Sequence, residues 1–443
     1  MKRDTKKSKE DTLTRRTFVK TTGLATGAVM ATSTSMNAMN YMEGNQKLKL
    51  ALVGCGGRGT GAAVQALTAD PDVELVAMAD AFQDRLDSSL SAITEHFDGE
   101  RKIRVKGKNR FVGFDAYRKA IDLADVVILA TPPGFRPSHF EYAVAQDKHI
   151  FMEKPIATDP AGVRRVLESA KLAKQKRLNV VVGLQRHYEK KYNALFDEIQ
   201  KGTVGKILSG QIYWNSAGVW LRKRQPGQSE LEYQMRNWYY FNWLCGDHIL
   251  EQHIHNIDVA NWFIGEYPKS AQGMGGRQTR TGPDHGEIYD HHFVEFTYPS
   301  GAVISSQCRH QKGCFNRVDE AFQGTKGSIV TQKGLITDLE GTTVLDANKE
   351  HDPNPYQVEH DRLFASIRNK EVISDAENAA KSTLTAIMGR MATYSGQTIT
   401  WEQALNTTQS LVPDNLSWNS QAPVSPDENG AYTIPMPGIT KFS

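Results

Sequence analysis

The chain has 443 residues, 39% apolar and 23% charged, enough for two domains and a large core and too balanced for a disordered or fibrous protein. Its formal net charge is +3, but the first 38 residues carry eight basic and three acidic side chains, so the remainder is slightly acidic and nucleic acid is excluded as an expected partner. The four cysteines, Cys55, Cys245, Cys308 and Cys314, include no Cys-x-x-Cys pair and are too sparse for a disulfide scaffold.

The chain opens with Thr14-Arg15-Arg16-Thr17-Phe18-Val19-Lys20, followed by an uncharged, mildly apolar run over 21–31 and small residues suited to cleavage near Ala31 or Ala38. This segment resembles the twin-arginine export signal of bacteria. The run is too short and too rich in Gly, Thr and Ser to serve as a stable membrane anchor. Residues 1–38 are therefore expected to be an address, and the protein to be periplasmic. Export of an already folded chain gives Cys308 and Cys314 little occasion to pair, so free thiols are expected.

Residues 49–53 form a short apolar run that leads at once into Gly54-Cys55-Gly56-Gly57-Arg58-Gly59 and then into a helical pattern over 61–69. Strand, glycine turn and helix in that order suit a dinucleotide pyrophosphate: Gly54 permits the turn, Gly56 lets the backbone approach the phosphates, and Gly59 lets the helix pack close. Gly57 and Arg58 lie inside the same cradle. A second strand over 73–80 ends at Asp80, placed to accept hydrogen bonds from the ribose hydroxyls and to repel a 2′-phosphate. NAD is thus the expected cofactor, in preference to NADP.

Strands are expected over 50–53, 75–79, 125–130 and 149–152, and helices over 61–69, 83–95, 117–123 and 137–146. This alternation predicts a parallel sheet covered on both faces. The basic stretch 97–111 is expected to be a surface loop. The buried strand 126–130 stops at Thr131-Pro132-Pro133, the next helix carries His139, and the next strand ends in Glu153-Lys154-Pro155. Pro155 removes a backbone donor, so Lys154 is presented at the carboxyl end of the sheet, where ligands sit.

Together these motifs resemble the Gfo/Idh/MocA family of sugar oxidoreductases, named for glucose–fructose oxidoreductase and inositol dehydrogenase. The resemblance covers nearly the whole chain after residue 46. It implies a doubly wound Rossmann domain over 46–184, followed over 185–400 by an α/β domain with an open, mostly antiparallel sheet. A last helix is expected to pack back on the first domain, and an irregular tail to occupy 401–443. It implies that Thr131 and Pro132 line the nicotinamide pocket, with His139 and Glu153 close by, and that Lys154 touches both cofactor and substrate. It also places Arg186 and Tyr188 on a polar active-site rim.

The segment 246–262 is the densest in chemistry. On a helix over 248–262, His248, Glu251, His255, Asp258 and Trp262 form one polar stripe, with Asp247 as N-cap and Leu250, Ile254 and Ile257 opposite. The family usually has Asp four residues before a catalytic His; here Glu251 stands in that place, a departure. Three readings are open. His255 serves as general acid or base with Lys154 and Glu251. His248, Glu251 and His255 bind a divalent metal. Or the stripe is satisfied by its own network. The first is preferred, and no metal is expected. His248 and Asp258 are then substrate candidates, as is Trp238 in the aromatic loop 220–243, because aromatic faces stack on sugar C–H faces.

The second domain is expected to open with a strand over 207–214; downstream, a hairpin is expected over 292–298 and 302–308, a strand pair over 320–330, a polar loop over 346–359, and helices over 356–368 and 378–394. The expected activity is oxidation of a CH–OH group of a sugar or sugar derivative with tightly held NAD, on a small carbohydrate. The resemblance leaves open a glycosidase working through transient C3 oxidation, and a non-catalytic sugar-binding Rossmann protein. A homo-oligomer is possible by analogy with the family.

Overall fold

The fold is described from a computed structural model covering residues 47–98, 102–349 and 352–442. The twin-arginine-like segment and its cleavage sites lie outside the described residues. Among the described residues no helix is long and apolar enough to cross a membrane.

The first sheet has six parallel strands, β1 (Leu48–Val53), β2 (Val73–Asp80), β3 (Arg110–Val112), β4 (Val126–Leu129), β5 (His149–Met152) and β6 (Val180–Val182), in the order β3-β2-β1-β4-β5-β6. Parallel strands need crossovers. These are supplied by α1 (Gly57–Ala69), α2 (Gln83–His96), α3 (Ala116–Asp122), α4 (Arg136–Ala145) and α5 (Pro160–Gln175). The strands read as continuous apolar runs because both faces are covered. Leu50, Leu52, Val126, Ile128 and Phe151 bury into one core layer, and their neighbours Ala51, Val53, Val127, Leu129 and Met152 into the other.

Residues 97–111 are not simply a loop. Ile103 bridges to Leu75, and β3 pairs with Met78–Asp80 as the sheet's edge strand. Three residues with one neighbour and exposed ends carry no periodicity, which is why the basic composition masks the strand.

After α6 (Lys190–Gln200) the second sheet has nine strands. They are β7 (Ile207–Ser216), β8 (Ser270–Gly276), β9 (His291–Thr297), β10 (Val303–His310), β11 (Arg317–Gly324), β12 (Gly327–Val330), β13 (Leu335–Asp338), β14 (Thr343–Asp346) and β15 (Ile399–Thr400). Their order is β14-β13-β12-β11-β7-β10-β9-β8-β15, with only β7 and β10 parallel. The strands β8, β13, β14 and β15 are additions to the expected set. Glycine-rich β8 and the short pairs at the edge give weak alternation.

Helices α7 (Glu230–Arg236), α8 (Asn242–Cys245), α9 (His248–Glu251) and α10 (Ile254–Ile264) lie between β7 and β8 in the chain, and α10 packs on β7 and β11. The single helix expected over 248–262 is broken: Gln252 has φ −116° and ψ −50°, and the His253 ring turns into the second sheet to Ser306 Oγ at 2.7 Å. The chain then returns. α11 (Pro355–Arg368) adds Leu363 and Phe364 to the Rossmann core layer that holds Leu50 and Leu52. α12 (Ala376–Ser395) is buried along nearly its whole length between α5 and the second sheet. The tail is not wholly irregular, because α13 (Trp401–Asn406) opens it behind a capping box of Thr400 and Gln403.

Candidate functional site

At the glycine turn two kinds of close approach operate. Gly54 has φ +95°, and a Cβ there would stand 2.5 Å from the Ala130 carbonyl carbon and the Thr131 nitrogen. A Cβ on Gly59 would run into the Gly54 carbonyl oxygen. These glycines pack the turn against β4. Gly56 and Gly57 differ: no protein atom lies within 4 Å of either Cβ position. No side chain caps α1, and its first turn holds no acidic residue. The turn therefore offers an open, unblocked helix N-terminus, which is what a dinucleotide pyrophosphate requires. The residues present fit NAD.

Asp80 closes this end. Its Oδ2 accepts from Cys55 N at 2.6 Å and its Oδ1 from Phe82 N at 2.9 Å, and burial raises its pKa. Arg58 does not stand free in the cradle. Its guanidinium pairs with Glu153 at 2.5 Å and Glu359 at 3.4 Å, and stacks over Tyr356. Thr131 Oγ1 meets His139 Nδ1 at 3.2 Å, beside Pro132. His139 stacks on Tyr117 at 4.0 Å and is buried, which with Arg136 nearby pushes its pKa down to about 3. It is a neutral support behind Thr131.

Lys154, at the carboxyl end of β5, reaches across to α9. Its Nζ donates to the Glu251 carbonyl and lies 3.4 Å from Glu251 Oε1. Glu251 is buried; burial raises its pKa against the opposing pull of Lys154 and Arg136, and its Oε2 has no partner. One turn on, His255 stacks beside Trp214 at 5.8 Å. Burial, then Lys154, then Arg186 hold the His255 pKa well below the usual imidazole range, and its Nδ1 has no partner. Lys154, Glu251 and His255, drawn from both domains, thus form one cationic–carboxylate–neutral imidazole group.

The other stripe residues go elsewhere. His248 Nδ1 bonds Asp247 Oδ1 at 2.8 Å, and its ring stacks on His310 at 4.6 Å. Its pKa falls to about 4 through burial. The set His248, Glu251 and His255 is therefore not assembled around a metal. Among the described residues the one group with metal-ligand spacing is Asp247, His248 and His292. There the Asp247 carboxylate is already saturated by His248, His292, Tyr289 N and Tyr394. Asp258 bonds His187 at 2.6 Å and Ser382 at 2.7 Å, a structural role between α10 and α12. Tyr188 donates to Asp375 at 2.8 Å. Arg186 is buried against Glu320 and near His255, so its charge acts on the site from behind.

Trp238 packs edge-on to Trp220 at 5.7 Å and beside Tyr239. Sequence reasoning placed Tyr239 in the aromatic loop that could wall the substrate, and missed His310 and Arg280. Tyr239 is buried with an unpartnered hydroxyl, and its ring stacks on His310 at 6.1 Å. Arg280 donates to His310 Nδ1 at 2.7 Å, which leaves His310 Nε2 unpartnered, as is His248 Nε2. Tyr239 OH, His248 Nε2 and His310 Nε2 are thus buried polar atoms without partners on one run of stacked rings, and Glu251 Oε2 and His255 Nδ1 are two more in the Lys154 group. Only the clustering of His and aromatic residues hinted at this, since His310 comes from β10, a strand distant in sequence from His248.

Residues 48–183 match the Gfo/Idh/MocA family model for an oxidoreductase NAD-binding Rossmann fold, and residues 197–414 match that family's C-terminal alpha/beta domain. The chain is 27% identical over 209 residues to 2,7-anhydro-N-acetylneuraminate hydratase of Escherichia coli, covering 47% of this chain and 51% of that protein. It is 26% identical over 281 residues to inositol 2-dehydrogenase of Rhizobium meliloti, covering 63% of this chain and 74% of that one. The match thus spans about half of the first of these curated relatives. In fold, scyllo-inositol dehydrogenase of Lactobacillus casei, solved with NAD(H) and scyllo-inositol, superposes with TM-score 0.60 at 19% identity, over 80% of this chain and 99% of that one.

Proposed function

The chain belongs to the Gfo/Idh/MocA oxidoreductase family and has its NAD-binding Rossmann domain, and on that premise we propose that it oxidises a CH–OH carbon of a sugar or sugar derivative. The observation that carries this reading is the Lys154–Glu251–His255 group at the carboxyl edge of the Rossmann sheet. When bound, NAD supplies the hydride acceptor. The chain's part is acid–base and orienting. His255, kept neutral, takes the proton of the reacting hydroxyl, and the Lys154 ammonium stabilises the negative charge that builds on that oxygen. Glu251 holds Lys154 in place. The unpartnered hydroxyl of Tyr239 and ring nitrogens of His248 and His310 suit the remaining hydroxyls of a polyol, since buried polar groups are rarely left unpaired. Asp80 favours NAD over NADP.

A second reading is net hydrolysis through transient oxidation: the ketone acidifies the neighbouring C–H, the glycosidic substituent leaves, water adds, and the ketone is reduced again. It is favoured by the name of the E. coli relative, a hydratase in an NAD-binding family, which describes net addition of water. The Arg15-Arg16 segment supports export to the periplasm. There, a captive cofactor that is regenerated in place suits either reading.

The test is to purify the exported protein, assay bound NAD(H) by absorbance and mass spectrometry, and add a panel of sugars and glycosides. Reduction of bound NAD by a sugar supports the oxidoreductase. Release of aglycone without net NADH supports the second reading. Absence of bound cofactor together with absence of affinity for NAD sinks both. Replacing Arg15-Arg16 by Lys-Lys and finding the periplasmic fraction unchanged sinks the export proposal.

A further inference from the structure

The loops that leave the carboxyl ends of β2, β3 and β4 each carry a phenylalanine: Phe82, Phe114 and Phe135. Phe82 follows Asp80 by two residues and donates its N–H to that carboxylate at 2.9 Å. The base that continues from a ribose held at Asp80 therefore extends towards Phe82. Over these loops lies the C-terminal tail. The Trp418 ring sits 5.1 Å from Phe82 and 4.7 Å from Phe114, while Phe114 stands 6.1 Å from Phe135. Arg236 stacks on Phe82 at 4.0 Å.

The tail has no regular structure beyond α13, yet it is pinned on both sides of Trp418. Leu411 N donates to Asp159 at 2.6 Å, and Gln234 donates to the Val424 carbonyl at 2.6 Å. Further on, Tyr432 bonds Glu230 at 2.5 Å, and the Pro435 carbonyl accepts from Tyr289 at 2.8 Å. Tyr432 is buried in the same aromatic cluster. The indole, on a strap held by hydrogen bonds on either side and with 38% of its surface exposed, lies over the loops that follow β2 and β3 without being part of a closed core.

We propose that Trp418, carried by this strap, forms the outer wall of the adenine end of the cofactor cleft and slows release of the dinucleotide. This rests on the NAD reading of the first domain and assigns a contact to a tail outside the glycine fingerprint. A purine face and an indole face stack without needing a hydrogen-bond code.

The experiment uses the full exported chain, loaded with NADH and chased with excess NAD, and follows NADH fluorescence in time. W418A is expected to release NADH about tenfold faster, the lower range of what base–aromatic stacking contributes, and to lose part of the tryptophan-sensitised NADH emission. W418F is expected to restore slow release. Unchanged release in W418A overturns the proposal. Slower release or tighter binding in W418A also overturns it, because Trp418 would then occupy the adenine site rather than wall it. Failure of the unaltered protein to bind NADH removes the cofactor reading itself, and is distinguished by appearing before any substitution.

Discussion

Lys154→Met isolates the charge at the centre of the site. In the folded protein the Lys154 ammonium lies 3.4 Å from a buried Glu251 carboxylate and is the largest influence opposing the rise in its pKa. At an effective dielectric of about 20, that separation corresponds to a gross attraction of about 5 kcal/mol, and removing one partner of a buried pair costs about 3–5 kcal/mol. In the variant Glu251 limits the loss by taking up a proton. Each unit of further pKa elevation costs about 1.4 kcal/mol once the pH is above it. The sign follows. The folded Glu251 pKa is raised above the unfolded value, so the folded state binds the extra proton. The penalty is absent below the unfolded pKa of about 4.3 and grows as pH rises towards the folded value. Urea unfolding of both proteins at about pH 5 and pH 8 reads this directly. The expected deficit of K154M is about 3 kcal/mol at the higher pH and under about 1 kcal/mol at the lower, and Glu251→Gln in the K154M background recovers most of it. A pH-independent deficit, or no recovery by the second substitution, refutes the coupling.

Three other regions of the structure give outcomes of the same kind. Gly56→Ala places a methyl where no protein atom lies within 4 Å, on a residue with φ −74°, so the urea midpoint stays unchanged while NADH affinity falls at least about tenfold in a fluorescence titration. Gly59→Ala, whose Cβ meets the Gly54 carbonyl, loses about 1–3 kcal/mol of stability as well; equal stability of the two variants contradicts the assignment of the turn. Arg186→Met leaves Glu320 buried without its cation and costs about 3–5 kcal/mol in denaturant unfolding, and a loss under about 1 kcal/mol shows the pair to be dispensable. His255→Gln lowers turnover by about 10²–10⁴-fold at unchanged NADH affinity, the range for loss of a general base; a rate within about tenfold of the parent removes His255 from the proton path.

The glycine turn, the Asp80 strand end and the Glu-Lys-Pro strand end were legible because their signals are local. A positive φ at Gly54, the contact of Gly59 with its own turn and the missing N–H of Pro155 are properties of a few adjacent residues, and they specify a parallel Rossmann sheet with a dinucleotide cradle before any packing is known. The apolar runs of β1, β4 and β5 were legible for the related reason that a strand buried on both faces has no polar alternation to hide it. Contacts between distant segments left no such trace. The helical spacing from His248 to Asp258 predicted one functional stripe, yet the second sheet draws His253 out of line, sends His248 to Asp247 and His310, and gives Asp258 to His187. Lys154 meets Glu251 across 97 residues, Arg186 meets Glu320 across 134, and Trp418 reaches Phe82 from the far end of the chain. Backbone conformation and burial periodicity are set by neighbours in sequence. Which side chain neutralises a buried charge, or which ring covers a cleft, is set by the arrangement of the two sheets, and only the folded chain decides it.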